Sequence, residues 1–293
     1  MSKPDGPSKQ NMTSDLAVTI VTLSIGLSDK LILTLKSVEN QSINVRHILI
    51  DGSEKTDIEQ YCDGRFPAVE VYSQKPQGIY SAMNFGLNLV EDFSYVMFLN
   101  EADFLLGPDA ITKLISSLSN LDSWAFGGTL AFSDHDEKTF EYGYKIPDWK
   151  NFELGLELVP HPSTLIPAYW LKNQMGFKKF FRIAADTEMT FRIYRKYGPA
   201  KHTQELISAH EIGGISTVLK TRSNFESRLA RILNFPTITL KKFFVTMLTQ
   251  KKSNISANNL EKKATSREYK HFRNCLRKEK IPLCCKHALM ELA

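Results

Sequence analysis

The chain has 293 residues, 42% of them hydrophobic and 24% charged. This is the balance of a globular protein with room for one large α/β domain and an appendage, or for two small domains. It excludes collagen-like, low-complexity and wholly disordered chains. The net charge of +5 is unevenly spread: residues 220–293 hold 17 Lys/Arg against 5 Asp/Glu, whereas the first 219 hold 20 against 27.

Residues 1–14 read as a disordered leader, polar and without an apolar signal core. Leu16–Leu23 is an apolar, β-branched run suited to a buried strand. Ser28 can cap a helix that presents Leu31, Leu35 and Val38 on one face. A second strand, His47–Ile50, ends at Asp51-Gly52-Ser53. A third, Val69–Ser73, leads through Pro76-Gln77-Gly78 into a helix with Ile79, Met83, Leu87 and Val90 on one stripe; Ile79 and Met83 read as core. A fourth, Tyr95–Leu99, ends at Asn100-Glu101-Ala102-Asp103, and Pro108 sits where a first-turn proline opens a helix through Ile111 and Leu114. From Trp124 the segments become longer and rich in aromatics, including Phe140–Trp149. A helix is expected from about Asp186 to Tyr197, with Met189, Ile193 and Tyr197 on one face. The run Glu205–His210 reads as a strand ahead of Gly213-Gly214, and no internal repeat is visible.

Short buried strands alternating with helices predict a mostly parallel, Rossmann-like sheet covered on both faces. Ligands bind such sheets at the carboxyl ends of the strands, where Asp51 and Asp103 both fall. Thr22, Ser24 and Gly26, at the end of the first strand, are expected to face the same cleft.

In order along the chain, several segments resemble a family 2 glycosyltransferase of the bacterial surface-polysaccharide type, with the GT-A fold. They are Ile48-Leu49-Ile50-Asp51-Gly52-Ser53, Gly78-Ile79-Tyr80-Ser81-Ala82-Met83-Asn84, Phe98-Leu99-Asn100-Glu101-Ala102-Asp103, His161-Pro162-Ser163 and Ala184-Ala185-Asp186, closed by Gly213-Gly214-Ile215-Ser216. The likeness spans roughly residues 16–220, and its specificity lies in the order and spacing of the motifs together. It implies a GT-A domain over residues 15–220 and a basic helical extension over 221–293. The implied reaction is an inverting transfer of a sugar from a nucleotide-diphosphate donor, UDP-linked by preference, to a lipid-linked oligosaccharide in O-antigen or capsule synthesis.

The resemblance also implies roles. Asp103 matches the last acid of the Asp-X-Asp-like motif and would hold Mg²⁺ or Mn²⁺ together with substrate phosphates, while Asn100 stands in place of the first acid. Asp51 matches the acid at the nucleoside, and Tyr80 and Asn84 could touch the donor. Asp186 matches the general base. Glu188, two residues on, points to nearly the opposite side of a helix, so only one of the two can face the cleft. His161 belongs on the acceptor side, and Gly213 and Gly214 could bring backbone amides to phosphate. The plainer readings are a turn residue for Asp51, a turn cap for Asp103, a dipole-complementing acid for Asp186, a structural ring for His161 and a mere loop for the glycines.

Gln74, Pro76 and Ser81 depart from the family, which usually carries acids in this stretch. They leave room for an altered donor, or for a nucleotide- or glycan-binding protein that has lost turnover. A dinucleotide-dependent enzyme is disfavoured, because no Gly-x-Gly-x-x-Gly follows the first strand.

In the tail, Phe225–Thr249 alternates Arg228, Arg231, Lys241 and Lys242 with Leu229, Ile232, Leu233, Phe243, Phe244 and Met247, and Pro236 divides the pattern. That pattern suits a helix in an anionic membrane interface, which would make the protein cytoplasmic and peripheral on the inner membrane. A homodimer or partner contact is the alternative. Nucleic-acid binding has no accompanying motif, and the spacing of Cys275, Cys284, Cys285 and His287 fits no zinc pattern.

Overall fold

The computed structural model describes residues 16–53, 57–119, 122–132, 139–211 and 219–238. The leader, Gly213, Gly214 and the tail beyond Ile238, with Phe243, Phe244, Met247 and the clustered cysteines, lie outside the described residues.

The first half builds as the hydrophobic pattern predicts, apart from a short helix between the second and third strands that the pattern does not give. Strand β1 (Val18–Ser24) is followed by α1 (Asp29–Glu39), β2 (Arg46–Asp51), α2 (Asp57–Cys62), β3 (Val69–Ser73), α3 (Ile79–Leu89) and β4 (Tyr95–Phe98). Ser28 caps α1: its backbone is extended and its hydroxyl accepts the Leu31 amide at 3.0 Å, satisfying one of the helix's orphan donors. Alternation along the strands sends side chains to two faces. Val21, Ile48, Ile50, Val96 and Phe98 pack with Met83 and Leu87 of α3 on one side. Val18, Ile20 and Met97 pack on the other. Helix α3 rests directly on β1, since a Cβ on Gly86 would come within 2.5 Å of Val21 Cγ1.

The second half adds β5 (Phe104–Leu105), α4 (Ala110–Ser117), β6 (Ala125–Phe132), β7 (Thr139–Tyr142), α5 (Trp149–Glu153), a 3₁₀ turn (His161–Ser163), β8 (Thr164–Pro167), α6 (Ala168–Asn173), α7 (Ala185–Tyr197), β9 (Lys201–Glu211) and α8 (Lys220–Asn234). All strands join one sheet in the order β3-β2-β1-β4-β8-β6-β9-β5, with β7 on β6. Strands β3, β2, β1 and β4 are parallel. Beyond them β8 runs antiparallel to both β4 and β6, and β9 is parallel to β6. The expected α/β architecture with a mostly parallel sheet is therefore met in the first half, and an antiparallel insertion extends it.

Two local readings change. Pro108 lies just outside α4, ahead of its N-cap Asp109, rather than in the first turn. Ile79 is 41% exposed while Met83 is buried, because Ile79 opens α3 at the rim of the cleft and no element covers that end of the stripe.

Helix α8 packs on α7. Its Ala230 and Asn234, with Phe235 just after, are buried, Phe235 meets Phe191 and Tyr194 edge-on, and Arg231 donates to the Leu154 carbonyl at 2.8 Å. The start of the basic extension is thus part of the packed body. Phe225, Ile232 and Leu233 are left on its outer face.

Candidate active site

The cleft forms where β1, β2 and β4 end. Register sets Ser24 beside Asp51, and Asp51 beside Ser73. After β4 the chain stays zipped to β1: the Leu99 amide donates to Val21 and the Glu101 amide to Leu23. The acidic turn is thereby delivered to the end of β1. Within the turn Ala102 takes a left-handed φ of 76°, which an L-residue adopts only at a cost. The Asp103 amide donates to Asn100 O, and Thr34 of α1 donates to the Asp103 carbonyl at 2.7 Å. Strand β5 then pairs Phe104 with Ala209, so the next step of that register sets Asp103 opposite His210.

Asp103 is only partly covered as a residue, but its carboxyl faces inward and accepts the Asn100 amide at 3.2 Å. Burial pushes it up to about 8, because desolvation disfavours the charged form. The buried Asn100 Oδ1, in the same turn, has no hydrogen-bond partner. Among the described residues no group of three or more His, Cys, Asp or Glu could cage a metal. One under-compensated carboxylate and one orphan amide oxygen instead suit a hard cation that keeps its waters and shares substrate phosphates.

Across the cleft, Asp186 lies in the first turn of α7. It accepts the Thr187 amide at 2.8 Å and the Tyr80 hydroxyl at 3.3 Å. Glu188 has gone the other way. It is fully buried, paired to Lys178 at 2.6 Å and to Arg192 at 2.8 Å. Burial alone would raise its carboxyl, but Arg192 and Lys178 hold it below the ordinary range. Of the two acids on α7, only Asp186 has no ion pair with a basic side chain among the described residues.

Tyr142 on β7 links the two sides. Its hydroxyl lies 3.1 Å from His210 Nδ1. Burial raises the phenol, and the charges of both Asp103 and Asp186 raise it further. Neither Tyr142 nor His210 was singled out by motif; an aromatic at a strand end carries no signal beyond packing. His161 is packed between Phe98, with centroids 5.9 Å apart, and Phe177 at 6.0 Å. Burial lowers its pKa, outweighing the Asp186 charge. The ring is therefore neutral, and its Nε2 has no partner. The turn that carries it is bolted down by Ser163, whose hydroxyl meets Thr129 at 2.5 Å and Ser208 at 2.7 Å.

The family model described as Glycosyl transferase family 2 matches residues 20–195. The chain belongs to that family. Two uncharacterized glycosyltransferases of Mycobacterium tuberculosis, from strains CDC 1551 / Oshkosh and H37Rv, are each 30% identical to it over 189 residues, 62% of this chain and 70% of theirs. Among solved structures, Staphylococcus aureus TarS 1-349 superposes with a TM-score of 0.55 at 13% identity, over 67% of this chain. The same protein in complex with UDP-GlcNAc superposes with 0.55 at 12% identity, over 68% of this chain. The chain spans only 60% and 59% of those two structures, and at such identity the likeness shows the fold alone: the GT-A arrangement.

Seen as a family 2 glycosyltransferase, the chain uses several of the expected donor contacts internally. Thr22 is fully buried and its hydroxyl is spent on His47 Nε2 at 2.9 Å. Tyr80 donates to the Ile183 carbonyl at 2.5 Å and lies 3.3 Å from Asp186 Oδ1. Asn84 clamps the Phe177 backbone, accepting its amide at 2.7 Å and donating to its carbonyl at 2.8 Å. Each of these polar groups is thus held by a protein partner, as a wholly or partly enclosed polar group must be. Ser24 and Asp51 do line the strand ends. Ser24 donates to Glu101 Oε2 at 2.8 Å, and Asp51 accepts the Ser53 amide and hydroxyl at 2.7 and 2.8 Å in an Asx turn. Of the departures, Ser81 is buried and Gln74 Oε1 is enclosed without a partner.

Proposed function

We propose that this glycosyltransferase is an inverting, metal-dependent enzyme that transfers a sugar from a UDP-linked donor to a lipid-linked oligosaccharide of bacterial surface polysaccharide. One observation supports it most: the Asp103 carboxyl accepts the Asn100 amide and shares its turn with the buried Asn100 Oδ1, which has no partner among the described residues, while Asp186 stands in the first turn of α7. The UDP-GlcNAc complex of the TarS neighbour favours a uridine donor.

Asp103 and Asn100 would hold Mg²⁺ or Mn²⁺, which supplies charge neutralisation to the departing diphosphate. Asp186 takes the proton of the acceptor hydroxyl as that oxygen bonds to the anomeric carbon. The bond from that carbon to the diphosphate oxygen breaks, the electron pair leaves with the nucleoside diphosphate, and a single displacement inverts the centre. His161, neutral with a vacant Nε2, can accept from or donate to the acceptor sugar according to its tautomer. Asp51 and Ser24 orient the nucleoside.

The reading of a binder without turnover is favoured only by Gln74, Pro76 and Ser81, and donor hydrolysis separates the two. The metal assignment is tested by calorimetry of UDP with Mn²⁺. Asp103→Ala is expected to abolish the metal-dependent gain in UDP affinity with the fold kept; an unchanged gain removes Asp103 as a ligand.

A further inference from the structure

The carboxylate of Glu226, on α8, is buried, and it does not face the cleft. One oxygen accepts three successive backbone amides, Arg182 at 2.9 Å, Ile183 at 2.8 Å and Ala184 at 3.2 Å; the other accepts Arg222 Nε at 2.8 Å. Those three amides lead into α7, and the α7 N-cap, Ala184, has no side-chain cap hydrogen bond of its own. A local Ser, Thr, Asp or Asn N-cap normally accepts the N2 or N3 amide; here Glu226, from a helix about forty residues on, instead holds the N-cap amide and the two amides before it. On the opposite edge of the same segment, Tyr80 donates to the Ile183 carbonyl. Ile183 is therefore held by its amide and its carbonyl at once, three residues before Asp186.

We propose that Glu226 is a positioning residue for Asp186, a remote cap that fixes the point from which the base-bearing helix starts. The inference rests on Asp186 as the base. It makes α8 a working part of the transferase and explains why an acid stands there: Glu226 is the only Asp or Glu between Lys220 and Leu260. An apolar side chain at this place would take the acceptor from the buried Ile183 and Ala184 amides and from the part-buried Arg182 amide, and the segment would shift to find others.

The test uses the full chain and UDP release from a UDP-sugar. Glu226→Gln retains shape and one acceptor oxygen, but its amide N–H must face either the backbone N–H groups or, turned over, Arg222 Nε, and in both orientations the negative charge that strengthens the three backbone bonds is lost. It is expected to lower kcat about tenfold or more, since a small misplacement of a catalytic group suffices, with donor KM within about twofold. In an Asp186→Asn background the same change should cost less than about twofold, because there is no base left to position. An equal loss in both backgrounds, or no loss in either, overturns the proposal. If E226Q does not fold, as thermal unfolding would show, E226D carries the same test; it keeps the charge but withdraws it by one methylene.

Hydrogen–deuterium exchange needs no substrate. E226Q is expected to speed exchange in residues 182–190 about tenfold relative to the rest of the body, and unchanged exchange there also overturns the proposal. Normal turnover by Asp186→Asn alone would instead remove the base assignment and leave exchange to decide the clamp.

Discussion

Asp186 and Glu188 stand two residues apart on one helix in opposite surroundings, and substitution should dissociate them. Glu188 is wholly buried between Lys178 and Arg192, so Glu188→Ala leaves two cations without their anion and is expected to cost about 3–5 kcal/mol in urea unfolding. Asp186→Asn keeps the Thr187 amide contact and should leave stability within about 1 kcal/mol, while turnover falls by about 10² or more. Histidines set a second expectation. His47 is buried with its Nε2 on Thr22, and burial lowers it to about 3; His210 is lowered to about 4. With an unfolded value near 6.5, the unfolded chain binds the extra protons. Stability is therefore level above pH 6.5, falls as pH drops below it, and for His47 levels off again below about pH 3. Between pH 7.5 and 5, His47 alone should contribute a loss of about 2 kcal/mol. Urea unfolding of His47→Gln at both values should show a correspondingly shallower drop; an equal drop would mean that His47 is not the titrating group. At this scale the acids of the cleft were legible in the sequence, because strand ends and a helix start are positions that periodicity locates. The internal partners of Thr22, Tyr80 and Asn84 were not, because a motif gives a polar residue's place in the chain and not the groups that fold against it.

Among the elements, β1 to β4 with α1 and α3 were legible because apolar runs of the right length alternate with amphipathic stripes, whereas the six-residue α2 is too short to show a stripe. The antiparallel insertion was not. Strand β6 carries Gly127-Gly128 in its middle, which reads as a breaker. The structure needs them: a Cβ on Gly127 would lie 2.4 Å from Ile207 Cγ1 and 2.9 Å from the Glu205 carbonyl, where the β6–β9 register shifts. Helix α8 was legible as a helix but not as part of the body. Its basic residues, Arg228 among them, and its apolar Phe225, Ile232 and Leu233 dominate the pattern, whereas contact with α7 runs through Ala230, Asn234 and the lone acid Glu226. A cut near Ser223 would take the clamp away with the tail, so the basic extension has to be removed after Ile238. A chain ending there is expected to keep the thermal stability of the full chain to within a few degrees; a fall of more than about 10 °C would show that residues beyond 238 hold the body together.

For the whole molecule, charge and chemistry meet at the acceptor. Among the described residues no helix is long and apolar enough to cross a membrane; a Lys or Arg near anionic lipid is worth on the order of 1 kcal/mol, which makes surface association of the basic extension an expectation to test. The full chain should sediment with vesicles containing phosphatidylserine, less so at high salt, and a chain ending after Ile238 should sediment much less; equal sedimentation would assign the extension to a homodimer or partner instead. The central claim is sugar transfer by Asp103 and Asp186 acting across one cleft. UDP release from a panel of UDP-sugars, with Mg²⁺ or Mn²⁺ and with chelator, measures it most directly for the wild type, Asp103→Ala and Asp186→Asn. Metal-dependent release from at least one donor is expected, reduced about 10² or more by either substitution. Release that persists in chelator, or that survives both substitutions, would contradict it.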